Sequence, residues 1–435
     1  MKPCFAQRIG KTLLAVMMVL VASHGSGQEP YDQQPINYSQ KSTDNPIARL
    51  QQQLDQGQQS LDFDEEHGFL KALLKSLDIS PESQVLVYSK SSFQLQQISP
   101  RRPRALYFND DSYVGWVQRG DVLEIMTTDP VRGEVFYTLE QQPEGKPQFV
   151  RDQGQCTVCH SSSRTQRVPG GLVRSMYVMS SGMPNYGSGT FNTDQTSPLS
   201  ERWGGWYVTG THGDMRHMGN VYAKDRHKPE ELDREAGANV TDLSELFPVE
   251  KYVTPHSDIV ALMVLEHQLQ MQNFLTLASH EARRSAHHDQ VMNKALERPV
   301  DYESDTTVRR VQGAADKVVR HMLMVDEAAL TDAIAGTSRF AEEFQAKGIR
   351  DAKGRSLRDL DLKTRLFKYP CSYLIYSKTF DQLPLNMKAA IAQRMREVLA
   401  GEDTSGDFDH LSRADRQAIS EILQETKPEL WKLGE

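Results

Sequence analysis

The spacing of apolar and polar positions changes several times along this chain, and each change predicts a different kind of element. Residues 13–22 form an unbroken apolar run, preceded by Lys2, Arg8 and Lys11 and followed by small and polar residues at 23–28. That layout predicts a secretory signal peptide, because a hydrocarbon core needs about 20 apolar residues and this run is shorter. A retained anchor is the competing reading, but cleavage after Ser23 or Gly27 fits the small-residue rule. Residues 28–46 are rich in Gln, Pro, Ser, Asp and Asn and read as a flexible leader. A helical period then predicts helices over 47–54 and 66–77, the second with Phe69, Leu70, Leu73, Leu74 and Leu77 on one stripe.

From residue 84 the period shortens. Strands are predicted at 84–88, 105–108, 113–118, 122–127 and 134–139, separated by turn residues such as Asn109-Asp110-Asp111, Arg119-Gly120-Asp121 and Asp129-Pro130. Residues 161–222 are rich in Gly, Ser and aromatics and predict loops with short strands. Helical patterns return after residue 229, over 257–280, 306–335, 386–399 and 413–425, the last behind Ser412 as N-cap. The expected fold class is α+β. A helical hairpin and small antiparallel sheet region occupy 47–150, a loop-rich region 151–228, and a helical half 229–435.

Charge narrows the partners. The chain carries 50 Lys and Arg against 58 Asp and Glu. Losing residues 1–27 leaves 47 against 58, an acidic balance that disfavours nucleic acid and anionic membrane surfaces. No later stretch is apolar and long enough to span a bilayer, so no transmembrane anchor is expected once the signal is removed.

The four cysteines are Cys4, Cys156, Cys159 and Cys371. Two of them lie in Cys156-Thr157-Val158-Cys159-His160, the Cys-x-x-Cys-His pattern by which c-type haem is attached. Positions i, i+3 and i+4 share one face of a helical turn. Both thiols can therefore reach the two vinyl groups of one porphyrin while the imidazole of His160 reaches its iron as proximal ligand. Export agrees with this, since c-type haem is normally attached in the periplasm. Three other readings compete. A thioredoxin-like dithiol needs no following His and normally sits where a strand enters a helix, whereas Gly154-Gln155 suggests a loop. Structural zinc wants four ligands, and neither a second Cys pair nor a His pair at finger distance behind Cys159 is present. A plain disulfide is the third. Cys371, in the setting Tyr369-Pro370-Cys371-Ser372-Tyr373, reads as a buried unpaired thiol.

The sixth iron ligand would decide the chemistry: Met raises the potential, a second His lowers it, and an open position admits small ligands. The cluster His212-Gly213-Asp214-Met215-Arg216-His217-Met218 supplies the candidates, with Met218 or His217 as possible distal ligand and His212 as a further choice. His256, Val260, Met263, His267 and Met271 fall on one helical face, where His267 is a satisfied core histidine or a haem partner. Trp203-Gly204-Gly205-Trp206-Tyr207 is either an aromatic wall for a porphyrin or a pair of core tryptophans about a tight turn. Arg164, Arg167 and Arg174 are either partners of haem propionates or an exposed basic surface. His280, His287 and His288 read as a solvated helix face. No dinucleotide fingerprint, phosphate loop or Ser-His-Asp arrangement is legible.

By its motif the chain resembles the c-type cytochromes. Over roughly residues 100–280 and 370–377 it is similar to a group of large exported bacterial proteins with one such motif and the 203–220 block. The resemblance implies one covalent haem c held by Cys156, Cys159 and His160. Small soluble cytochromes c are short and helical, so their downstream Met ligand does not carry over to this mixed chain. The expected function is a periplasmic electron carrier serving a redox partner protein. The alternatives are a haem-dependent oxidoreductase acting on a small substrate, with Cys371 or His217 nearby, and a haem-based sensor or interaction protein.

Overall fold

The computed structural model of the chain describes residues 29–40 and 43–433, so the expected signal peptide lies outside the described residues. Helix α1 (Pro46–Asp55) starts where expected, because the Asn45 side chain accepts the Ala48 N–H and proline occupies the first turn. Helix α2 (Leu70–Ser76) starts later than its apolar stripe predicts. The Asp64 carboxylate takes the N–H groups of Glu66 and His67, which holds 64–68 in a tight turn instead. Residues 29–40, expected as flexible leader, pack instead: Tyr31, Ile36 and Tyr38 are buried, and the Tyr38 hydroxyl donates to the Glu134 carbonyl.

Strands β1 (Val85–Val87), β2 (Arg104–Phe108), β3 (Ser112–Trp116), β4 (Val122–Asp129) and β5 (Gly133–Glu140) lie within two residues of the predicted runs. Strand β6 (Phe149–Arg151) was too short to show a period. A four-residue helix α3 (Thr157–His160) and strands β7 (Val173–Met176), β8 (Thr190–Thr193), β9 (Trp206–Tyr207) and β10 (Gly210–Thr211) follow. The large sheet has the order β6-β5-β4-β3-β2-β1-β9, every pair antiparallel, so the loop-rich region contributes its last strand.

Helix α4 (Ile259–Ala295) runs well past the predicted end at 280, its first turn capped by the Asp258 carboxylate. Helix α5 (Asp305–Met322) stops short of the predicted 335, because Met324 and Asp326 adopt positive φ and turn the chain; residues 335–336 then form strand β11 (Ala335–Gly336) against β10. Helices α6 (Phe340–Ala346), α7 (Lys378–Asp381), α8 (Leu385–Ala400) and α9 (Arg413–Thr426) complete the order, the last with a Ser412–Asp415 capping box. The fold is α+β with a helical C-terminal half.

Side chains alternate across the sheet and so divide between two cores. Ala105, Tyr107, Val114, Trp116, Ile125, Tyr137 and Leu139 join Ile47, Leu50, Leu70 and Leu73 of the N-terminal helices. On the other face Val85, Val87, Phe108 and Tyr113 join α4 and the helices beyond it. That second face is not covered evenly: Leu106 and Met126 are only partly buried, and Gly115 between their strands has no side chain to cover it. Among the described residues no helix is long and apolar enough to cross a membrane.

Candidate functional site

The Cys156–His160 turn follows β6 directly and is built by local capping. The Asp152 carboxylate accepts the N–H groups of Gly154 and Cys156 at 2.9 and 3.0 Å, and the His160 N–H closes the turn onto the Cys156 carbonyl at 3.0 Å. Gly154 takes φ 116°, a conformation that disfavours any residue with a Cβ. Cys159 is exposed, Cys156 half-buried, and Val158 between them is 78% exposed. Cys156, Cys159 and Cys371 are all free thiols.

His160 is fixed by the loop that follows it. Gly170 donates its N–H to the His160 carbonyl at 2.8 Å, and His160 Nδ1 lies 2.9 Å from the Gly170 carbonyl. A carbonyl oxygen can only accept, so Nδ1 carries the proton and Nε2 keeps a free lone pair. Burial lowers the imidazole pKa and favours this neutral form. The loop is anchored to the sheet where the Glu134 N–H donates to the Pro169 carbonyl at 2.9 Å. The His160 ring lies 5.0 Å from Phe136, which pairs across the ladder with Met126. The turn therefore sits on the incompletely covered sheet face.

The Cys156 thiol is pushed up to about 12, first by burial and then by the Asp152 carboxylate. A dithiol redox centre needs the opposite shift, because the thiolate is the nucleophile. Among the described residues no group of three or more His, Cys, Asp or Glu side chains converges to hold a metal ion. Arg174 lies within electrostatic reach of Arg164, Tyr186 and Cys159, and burial together with Arg164 lowers its pKa. Its Nε is buried without a partner. Arg164 and Arg167 are exposed.

The other sequence candidates are engaged elsewhere. Met218 is buried with its sulfur 3.7 Å from the Ser175 hydroxyl. His217 is buried against Trp203 and His212, its Nδ1 accepts the Gly219 N–H, and burial drops its pKa to about 3. Neither hydrogen-bonds or stacks with the motif turn. His212 is held by the Met215 carbonyl and the Asn239 N–H. His267 has both ring nitrogens bonded, to Gln195 and Ser372 at 2.8 Å, and is a satisfied core histidine. His256 lies before the α4 cap and is not on the helical face assigned to it. Trp203 and Trp206 are buried about a turn where Trp203 and Gly205 have positive φ, which is the core arrangement. His280 is buried rather than solvated and its Nε2 bonds the Val131 carbonyl. Cys371 is buried, as its aromatic neighbours imply.

Sequence reading missed Asp152, Gly170, Phe136 and the orphaned Arg174 nitrogen. Only the Gly170-Gly171 pair carried a signal, a close backbone approach: a Cβ on Gly170 would lie 2.0 Å from the Asn273 side-chain oxygen. No family model, curated protein or solved structure matches the chain.

Proposed function

We propose that the protein is an exported c-type cytochrome, carrying one haem c on Cys156 and Cys159 with His160 as proximal ligand, and that it passes single electrons in the periplasm. The observation that carries this reading is the state of His160, whose Nδ1 is committed to the Gly170 carbonyl while Nε2 keeps its lone pair, on the same turn as two free thiols. A donor bond from Nδ1 to a carbonyl is the outer contact that orients a ligating imidazole and raises its basicity. The bound haem would supply a one-electron iron couple. The chain's residues would do the rest. Asp152 shapes the turn that presents both thiols, and Gly170 holds the imidazole. Phe136 and the half-covered Leu106 and Met126 offer apolar surface beside it, and Arg174 has an uncompensated charge for a propionate.

Visible spectra of the reduced protein with and without carbon monoxide test the choice between carrier and enzyme. An electron carrier gives a sharp six-coordinate spectrum that carbon monoxide leaves unchanged. Rapid carbon monoxide binding overturns that reading in favour of chemistry on a small substrate.

A further inference from the structure

The surface around the motif turn differs in charge from the rest of the chain. Residues 88–108 and 151–228 together carry 13 Lys and Arg against five Asp and Glu, whereas the remainder of 29–435 carries 34 against 53. The two basic segments meet at the loop 177–190. The Lys90 N–H donates to the Gly182 carbonyl at 2.9 Å, Gly182 lies against Pro100, and the Asn185 side chain donates to the Arg226 carbonyl at 2.7 Å. Tyr186 on the same loop is within electrostatic reach of Arg174, and Arg174 of Arg164 and Cys159.

Lys90, Arg101, Arg164, Lys224 and Arg226 therefore ring this loop beside Arg174, the cation left to a propionate, and none of these five has an ion-pair partner among the described residues. Other cations of the same segments are neutralised: Arg104 by Glu124, Arg202 by Glu266, Arg216 by Glu235 and Lys228 by Glu231. Within and beside the ring stand large apolar side chains in water: Val158 (78% exposed), Tyr186 (72%), Phe93 (61%) and Met183 (43%). Phe93 adjoins Ser92 and Gln94, both bonded to Glu124, whose charge acts on Cys156 and His160. Exposed aromatic and Met side chains among arginines, with few acids, have the composition of protein–protein interface cores.

We infer that this face docks an acidic partner protein, one whose apolar contact patch is rimmed by Asp and Glu and which exchanges electrons at the motif turn. This rests on the electron-carrier reading and adds the partner's chemistry. A compact partner meets only the basic face. An extended polyanion or an anionic membrane would also meet the acidic remainder of the chain, which repels it. Complementary charge steers such a partner to the face and sets its register.

The test uses the haem-loaded protein and a fluorescent tetraglutamate peptide, short enough to lie within the basic face and away from the acidic remainder, read by anisotropy. The peptide binds at low ionic strength, and raising salt from about 0.01 M to about 0.1 M, which shortens the Debye length from about 30 to about 10 Å, releases it. Combining Arg101→Glu, Lys224→Glu and Arg226→Glu, all outside the proposed haem contacts, weakens binding at least about tenfold and leaves the visible spectrum unchanged. In parallel, oxidation of the reduced protein by ferricyanide slows as salt rises, although the net negative charge of the chain alone would make it quicken. Pigmented protein that ignores the peptide, or a ferricyanide rate that rises with salt, overturns the docking face. Sedimentation with phosphatidylglycerol vesicles, or salt-sensitive self-association, would replace the partner with a membrane or a second copy and equally overturn it. Unpigmented protein that still binds the peptide identifies the failure as that of the haem reading.

Discussion

Replacing Gly170 by alanine tests how the His160 imidazole is held. The new Cβ would stand 2.0 Å from Asn273 Oδ1 and 2.9 Å from its Cγ. Asn273 is buried, with Nδ2 donating to the Gly171 carbonyl at 2.9 Å and to Gln270 at 3.0 Å, so it cannot swing aside freely. Overpacking of this kind costs about 1–3 kcal/mol, and each side-chain hydrogen bond lost in relieving it costs about 1 kcal/mol. The glycine's unfolded-state entropy returns about 0.4–1 kcal/mol. The expected net loss is about 2–4 kcal/mol. Urea unfolding followed by circular dichroism measures it. In an Asn273→Ala background the room is already open, so Gly170→Ala there costs less, with a coupling of about 1–3 kcal/mol. The displaced carbonyl also weakens the His160 Nδ1 bond, which makes the imidazole a poorer donor and raises the midpoint potential of loaded protein. A single variant within about 0.5 kcal/mol of the parent, or an equal cost in both backgrounds, would refute this packing argument.

Glu134 is buried beside the loop that anchors the site. Burial raises its pKa from 4.5 to about 8, opposed by the Thr128 hydroxyl bond. The folded state thus binds a proton that the unfolded state has released, so the contribution of Glu134 is full below about 4.5 and is lost as pH rises through about 8. Glu134→Gln is expected to flatten the fall in stability across that window, by on the order of a few kcal/mol at its upper end, in parallel denaturation curves; identical pH profiles would contradict it. In protein made without haem and lacking residues 1–27, a thiol reagent is expected to label exposed Cys159 first, Cys156 more slowly and buried Cys371 only after denaturation. Labelling of Cys371 in the native state would contradict its burial.

The sheet and most of the helices were legible because their signals are local. Alternation fixed β1 to β5 to within two residues, and Ser412 and Asp415 marked the start of α9. What failed was set by distant partners. Residues 29–40 lack a compositional reason to order, yet Tyr38 finds the Glu134 carbonyl 96 positions away. Strand β9 has only two residues and exists because Leu86 and Val87 offer them an edge. Helix α5 ends at Met322 although nothing in 323–335 breaks the pattern, because the chain turns there to donate the Ala328 N–H to the Gln195 carbonyl. The candidate site divides the same way. Cys156, Cys159 and His160 were legible as a motif, and their shared helical turn is present. The pocket around them was not: Met218, His217 and His267 proved to be held by core partners, and the acceptor that fixes the His160 tautomer is a backbone carbonyl, which no side-chain pattern announces.

The claim on which the account turns is a covalent haem on Cys156 and Cys159, and tryptic mapping of protein matured in a host competent for c-type haem assembly tests it most directly. Cleavage after Arg151 and Arg164 should release residues 152–164 as one pigmented peptide, heavier than its sequence by a single haem, with the pyridine haemochrome spectrum of a porphyrin whose two vinyl groups are saturated. The same peptide recovered at its bare sequence mass, colourless and with both thiols free to alkylate, would contradict the account.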